Sequence, residues 1–255
     1  MKLRVLRAWS KLAASAAAAA LSAAMAVCVP ASAMAAMATD SAAGRTPFQV
    51  RCEDTIAKTV SVLSSRSNGY TINNQLPFNQ LTARSGSAAN GMATLGLTVT
   101  NGQYAVKLGG TILQDAASGY ECIVPRVELS LNYSPVLIYV SNEFAPGSCG
   151  YQVILEHEQR HLQAYMDNLA RVEKVVRDAL NKRFDAKPLY APSGTAMSAL
   201  EHEISSKWFP FIRDEFDKGK DKQAQIDTPE EYARMGKVCN GEVAATILKR
   251  LNKQK

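Results

Sequence analysis

From Cys149 to about Arg183 the large apolar residues fall at three- and four-residue steps: Ile154, Leu155, Leu162, Tyr165, Leu169, Val172, Val176 and Leu180. This period predicts one long helix with a single buried face, the element around which the rest of the chain is organised. Ser148 is placed to cap its start. Residues 185–195, with Pro188, Pro192 and Gly194, read as the connection that follows it.

That helix carries Glu156-His157-Glu158-Gln159-Arg160-His161. Residues four apart are separated by one turn, so His157 and His161 project from one face. Two neutral imidazoles so placed can supply two ligands to one Zn2+ ion. Glu158 lies beside them, placed to take a proton from a water that the ion activates. The chain has three histidines in 255 residues, and about 0.002 accidental matches to this five-residue pattern are expected. The bland alternative is a charged helix with solvated or core-satisfied histidines.

The N-terminus reads as an export signal. Lys2, Arg4, Arg7 and Lys11 form a basic region, residues 12–29 are an alanine-rich apolar run, and Ala31-Ser32-Ala33 offers a cleavage site. Residues 1–33 are expected to be removed, leaving no membrane anchor, and 34–46 to be a disordered lead-in to one domain over 47–255. The four basic residues account for four of the six net positive charges, leaving about +2. Charge therefore gives no case for a nucleic-acid partner. Of five cysteines, Cys28 leaves with the leader. Cys52, Cys122, Cys149 and Cys239 remain, an even number that suits two disulfides in a secreted or periplasmic protein.

Residues 47–148 read as strand-rich. The segment 48–64 fits helix or strand equally, and 65–90 reads mostly as loop. Leu95 to Thr100, Asn101-Gly102 and Gln103 to Leu108 give the clearest hairpin pattern. Tyr120 to Leu131 and Pro135 to Val140 read as two further strands, the second either a core strand or an edge that could hold a substrate backbone. No chemical motif stands out in this half, and Glu143 reads as a solvated loop residue.

Residues 149–255 read as helical. A second helix is expected from Thr195 or Ala196 to about Gly219, interrupted at Pro210. Another starts at Thr228-Pro229, and a last one follows Asn240-Gly241. Zinc needs a third protein ligand. Asp167 would point away from the motif on a continuing helix. His202 lies on the second helix, which would have to double back for it to reach. A direct antiparallel return instead brings Asp227, Glu230 and Glu231 level with the motif and carries Cys239 towards Cys149. The expected pairs are therefore Cys149–Cys239 and Cys52–Cys122.

These features resemble a family of bacterial exported domains of unknown function, regarded as zinc-dependent proteases. In that pattern a cysteine precedes an H-E-x-x-H helix, an antiparallel helix follows, and a downstream Asp…Thr-x-His-Gly comes after it. Cys149, residues 153–161, Leu200-Glu201 and Asp227-Thr228 stand where the pattern would have them, while Glu230 occupies the place of its downstream His. The resemblance implies a zinc hydrolase with Glu230 as third ligand, and the reading of the residues keeps Glu231 and His202 as alternatives. The overall expectation is an α+β fold, with an antiparallel strand-rich half packed on an antiparallel helical half. Its substrate would be a peptide or protein. The rival readings are a cell-wall peptide amidase and an envelope protein with a structural metal.

Overall fold

A computed structural model describes residues 4–9, 44–55, 61–67, 69–86, 93–185 and 187–252. The strand-rich half and the helical half are both present, as are the two disulfides, Cys52–Cys122 and Cys149–Cys239. The long helix is α3 (Cys149–Phe184), capped by the Ser148 hydroxyl accepting from the Tyr151 N–H. Helix α1 (Pro47–Thr55) and strand β2 (Ser61–Ser67) resolve the ambiguous segment 48–64.

The larger sheet is built on β5 (Gly102–Asp115) and β6 (Tyr120–Tyr133), antiparallel from Gly102↔Tyr133 to Asp115↔Tyr120. Strand β2 runs parallel to one half of β6, and β8 (Leu189–Pro192) antiparallel to the other. Strand β1 (Arg4–Trp9) pairs with β5 through Gln103 to Leu108. It falls inside the segment read as a leader, most of which lies outside the described residues. The free edge of β5 offers it a row of backbone donors and acceptors.

Alternation decides which face of this sheet is covered. Val127, Leu129, Leu131 and Tyr133 are buried, whereas Arg126 and Ser130 are exposed. The apolar face meets Leu169, Val172, Val176, Leu180 and Phe184 from the later turns of α3, together with α4 (Ala196–Glu203) and α5 (Phe209–Asp217). A π-helical turn, Ile204–Trp208, joins α4 to α5. It stands just before Pro210, which has no N–H to continue the α ladder.

The smaller sheet orders β3 (Thr71–Asn73), β7 (Leu137–Val140) and β4 (Gly96–Val99). Here the expected hairpin fails. Strands β4 and β5 enter different sheets, and neither Asn101 nor Gly102 takes the positive φ of a two-residue hairpin turn. Instead the Asn101 carbonyl accepts from Ser134 N–H at 3.0 Å, pinning the crossover to the β6–β7 junction. The Pro135–Val140 segment contains the central strand β7, so β3 and β4 form the two edges among the described residues. The expected loop over 65–90 also contains β3 and α2 (Phe78–Ser85), and the Glu143 carboxylate accepts from the Phe78 N–H at 3.1 Å.

Helices α7 (Pro229–Lys237) and α8 (Glu242–Asn252) close over the first turns of α3. Met235 and Val243 pack with Tyr151, Ile154, Phe144 and Val140. The Glu242 carboxylate accepts from the Gly150 N–H at 3.2 Å, where the helix dipole favours negative charge. The Cys149–Cys239 bond fixes the same junction.

Glu121 joins sheet to helix. It is buried on β6 and accepts from the Ala196 N–H at 2.7 Å, at the start of α4. That bond and its backbone neighbours lower the Glu121 pKa below the ordinary glutamate value. Its contribution is therefore present above the unfolded-state pKa and lost as pH falls through the folded-state pKa. Glu121→Ala should cost about 1–3 kcal/mol by leaving a buried donor unpaired. It should also flatten the acid limb of stability against pH in denaturant melts.

Candidate metal centre

On α3, His157 and His161 are one turn apart and buried, 4% and 8% exposed, with their Nε2 atoms 3.2 Å apart. Asp227 precedes Thr228, the residue whose hydroxyl caps α7 by accepting from the Glu231 N–H. Its Oδ1 lies 3.2 Å from His157 Nε2 and 3.3 Å from His161 Nε2. The three ligand atoms thus form a nearly equilateral triangle. An ion bound tetrahedrally at about 2.0–2.1 Å separates its ligands by roughly 3.3–3.4 Å, so this triangle could form three of its four corners.

The far side of each ring is also engaged. Gln223, in α6 (Lys220–Ala224), accepts from His161 Nδ1 at 2.7 Å and donates to the His161 carbonyl at 3.2 Å. In the neutral ring this favours the hydrogen on Nδ1, so that Nε2 would present its lone pair to an ion held in the triangle, whereas the charged ring donates to Asp227 from Nε2. His157 Nδ1 faces Glu231 Oε1 at 3.4 Å, with Arg160 Nη2 3.0 Å away. Arg160 donates to Nδ1, so His157 would present its Nε2 lone pair only in the other tautomer, with its hydrogen turned to Glu231 in place of that bond. Arg160 and Arg234 both pair with that carboxylate.

Electrostatics follow from these contacts. Burial opposes charge on Asp227, but hydrogen bonds with His157, His161 and Tyr232 outweigh it and hold its carboxyl well below the usual range. The Tyr232 hydroxyl donates to Asp227 Oδ1 at 2.7 Å, and burial together with that carboxylate pushes the phenol pKa well up. Burial disfavours a charged His161, yet Asp227 and Gln223 raise its pKa overall. The Arg234 guanidinium, with Arg160, holds Glu231 well below the usual carboxylate range.

Glu158 is 4% exposed, and its Oε2 accepts from the Thr98 hydroxyl on β4 at 2.8 Å. Burial raises its pKa, with His161, Thr98 and His157 offsetting only part. Gly96 makes the fit possible. A Cβ there would lie 2.5 Å from Glu158 Oε1 and 2.7 Å from Ile154 Cγ2. Histidines, Glu158, Asp227 and β4 line one cleft of about 660 Å³.

The third sequence-predicted ligand is placed differently. Glu230 is exposed in the first turn of α7, while Asp227, three residues earlier, meets both rings. The cap at Thr228 turns the residue before it, rather than the first helical turn, towards the two rings. Glu231 stands behind His157 rather than inside the triangle. His202 is exposed on α4. Its neighbour Glu203 pairs with Arg183 at 2.6–2.7 Å, and Arg183 lies about 33 Å along α3 from His161. Gly96, Thr98 and Gln223 carried no signal in the sequence beyond strand or helix pattern. Cys149, Cys239 and Glu242 also converge, but those sulfurs are bonded to each other.

No protein-family model, no curated protein and no solved structure matches the chain.

Because folding raises the Glu158 pKa, its ionised form costs stability above the unfolded-state pKa, and the cost fades as pH falls through the folded-state pKa. Glu158→Gln keeps an acceptor for Thr98 and removes the charge. Calorimetry of the metal-free variant should show a higher Tm at neutral pH, by roughly 2–4 °C per kcal/mol gained. That gain should shrink on acidification.

Proposed function

We propose that this chain is an exported zinc-dependent peptidase, as its resemblance to the family of exported H-E-x-x-H domains implies. The observation that carries the proposal is the 3.2–3.3 Å triangle of two imidazole nitrogens and one carboxylate oxygen, with Glu158 buried beside it in an open cleft. Nitrogen and carboxylate donors with tetrahedral spacing suit zinc better than magnesium or calcium, which prefer all-oxygen sites. His157, His161 and Asp227 are its ligands in this reading. Three protein ligands leave a fourth position open, the mark of a catalytic rather than a structural site. Bound there, zinc lowers the pKa of water towards neutrality and polarises a carbonyl.

The chain's own residues supply the remaining work. Glu158 takes a proton from the attacking water and returns it to the leaving nitrogen as the amide bond breaks. Thr98 keeps one of its carboxylate oxygens fixed. Gln223 and Glu231 orient the rings.

Strand β4 supports a peptide substrate. The Leu95 carbonyl accepts from Ser141 N–H at 2.8 Å, which makes Leu95 and Leu97 the residues bonded towards β7. The N–H and C=O groups of Gly96 and Thr98 then face away from β7, the side on which an extended backbone can add. The two disulfides suit an oxidising compartment, and no described helix is long and apolar enough to cross a membrane.

Metal analysis of the mature protein should find one zinc per chain, retained by Glu230→Ala and lost from His157→Ala and Asp227→Ala. Zinc loss from Glu230→Ala with retention in Asp227→Ala would reverse the ligand assignment. Glu158→Gln should keep its zinc and lose about 10²–10⁴-fold in casein hydrolysis. Undiminished activity in that variant would overturn the mechanism.

A further inference from the structure

The cleft has two chemically different ends. Its described ionisable side chains, His157, Glu158, His161, Tyr165, Asp227 and Tyr232, gather at the metal end. Away from them, towards the start of α3, the wall is apolar: Leu95 faces Met235 of α7 and Val243, Ala244, Ile247 and Leu248 of α8. Positions 244, 247 and 248 are three and four apart, so α8 turns one stripe into the cleft. Val243 and Met235 are buried beneath, and Leu95 and Ile247 pack partly against them. Leu248, 60% exposed, is the most exposed large apolar side chain among the described residues. It stands on a concave surface beside the catalytic groups. An exposed leucine on a convex surface needs no explanation, but this one lines a cavity.

The apolar wall joins directly to the groups that do the chemistry. Ile154 and Glu158 both touch Gly96, and Leu95 is the next residue along the strand. A backbone paired with Gly96 and Thr98 therefore carries its neighbouring side chain past the Leu95 end, against α8. Among the described residues that wall carries no charged group to satisfy a buried lysine or aspartate, whose desolvation would oppose binding.

We propose that the wall is a specificity subsite, and that the substrate is a peptide placing a large apolar side chain, such as leucine, phenylalanine or methionine, next to the scissile bond. This rests on the peptidase reading above. Burial of such a side chain discriminates by about 10- to 100-fold over alanine or a charged residue.

The test uses the zinc-loaded mature chain and a peptide series of fixed scaffold varied at one position, with cleavage mapped by mass spectrometry. Bonds beside leucine, phenylalanine or methionine should be cut about 10- to 100-fold faster in kcat/KM than those beside alanine, aspartate or lysine. Ala244→Trp, which fills the wall, and Leu248→Lys, at an exposed position that does not threaten folding, should both erase that preference with zinc content unchanged. A binding measurement runs alongside: methyl NMR shifts of Ile247 and Leu248 in zinc-loaded Glu158→Gln, titrated with the leucine and aspartate peptides. Shifts with leucine alone support the subsite. Equal rates across the series, or a preference for charge, overturn it. Absence of cleavage with leucine-dependent shifts sinks the peptidase reading and keeps the subsite. Absence of both overturns the two together.

Discussion

Three electron-rich atoms converging within 3.2–3.3 Å of one another is the arrangement on which this molecule depends. Such convergence is unfavourable unless something positive is shared among them, and the fold provides for it on every side. Asp227 is held low in pKa by the rings and by the Tyr232 hydroxyl. Gln223 orients one ring, and Glu231, itself neutralised by two arginines, backs the other. The histidines alone are local, four residues apart on one helix. The third atom comes from 66 residues beyond His161, so its position is set by tertiary structure.

That tertiary structure is a division of labour along α3. The later turns are committed to the larger sheet through Leu169, Val172, Val176 and Leu180, and to α4–α5 on the same face. Asn168 marks the changeover, donating to the Tyr133 hydroxyl at 2.8 Å and to the Phe216 carbonyl at 3.1 Å. The earlier turns are left for the smaller sheet and for α7–α8. A buried carboxyl such as Glu158 is tolerated there because Thr98 and the two imidazoles offset part of its desolvation. Stability is given up at the residue on which chemistry would depend.

The sequence disclosed what periodicity and local spacing encode. The α3 helix, its Ser148 cap, the two imidazoles and the Thr228-Pro229 start of α7 are all local signals, and the antiparallel return sufficed for both disulfide pairs. Non-local pairing was not legible. Asn101-Gly102 has the composition of a hairpin turn, but the Ser134 contact and the claim of β7 on β4 send the two flanking strands into different sheets. Which of three acids the chain carries to the two rings was not legible for a related reason. Asp227, Glu230 and Glu231 are alike in composition, and only the path of the chain into α7 separates them. Gly96 was invisible because its importance lies in the side chain it lacks, beside a residue 62 positions away.

The Cys149–Cys239 bond ties together the two stretches of chain that carry this geometry. Its loop spans 90 residues and encloses α3, α4, α5 and the whole of α7. Before the sulfurs join, the histidines are a two-toothed clasp on a helix that can form by itself. Once they join, the chain after Asp227 is anchored at Cys239 to the start of α3, which limits how far that carboxylate can stray from the rings. An ion held there as proposed would therefore bind the disulfide-bonded chain more tightly than the reduced one.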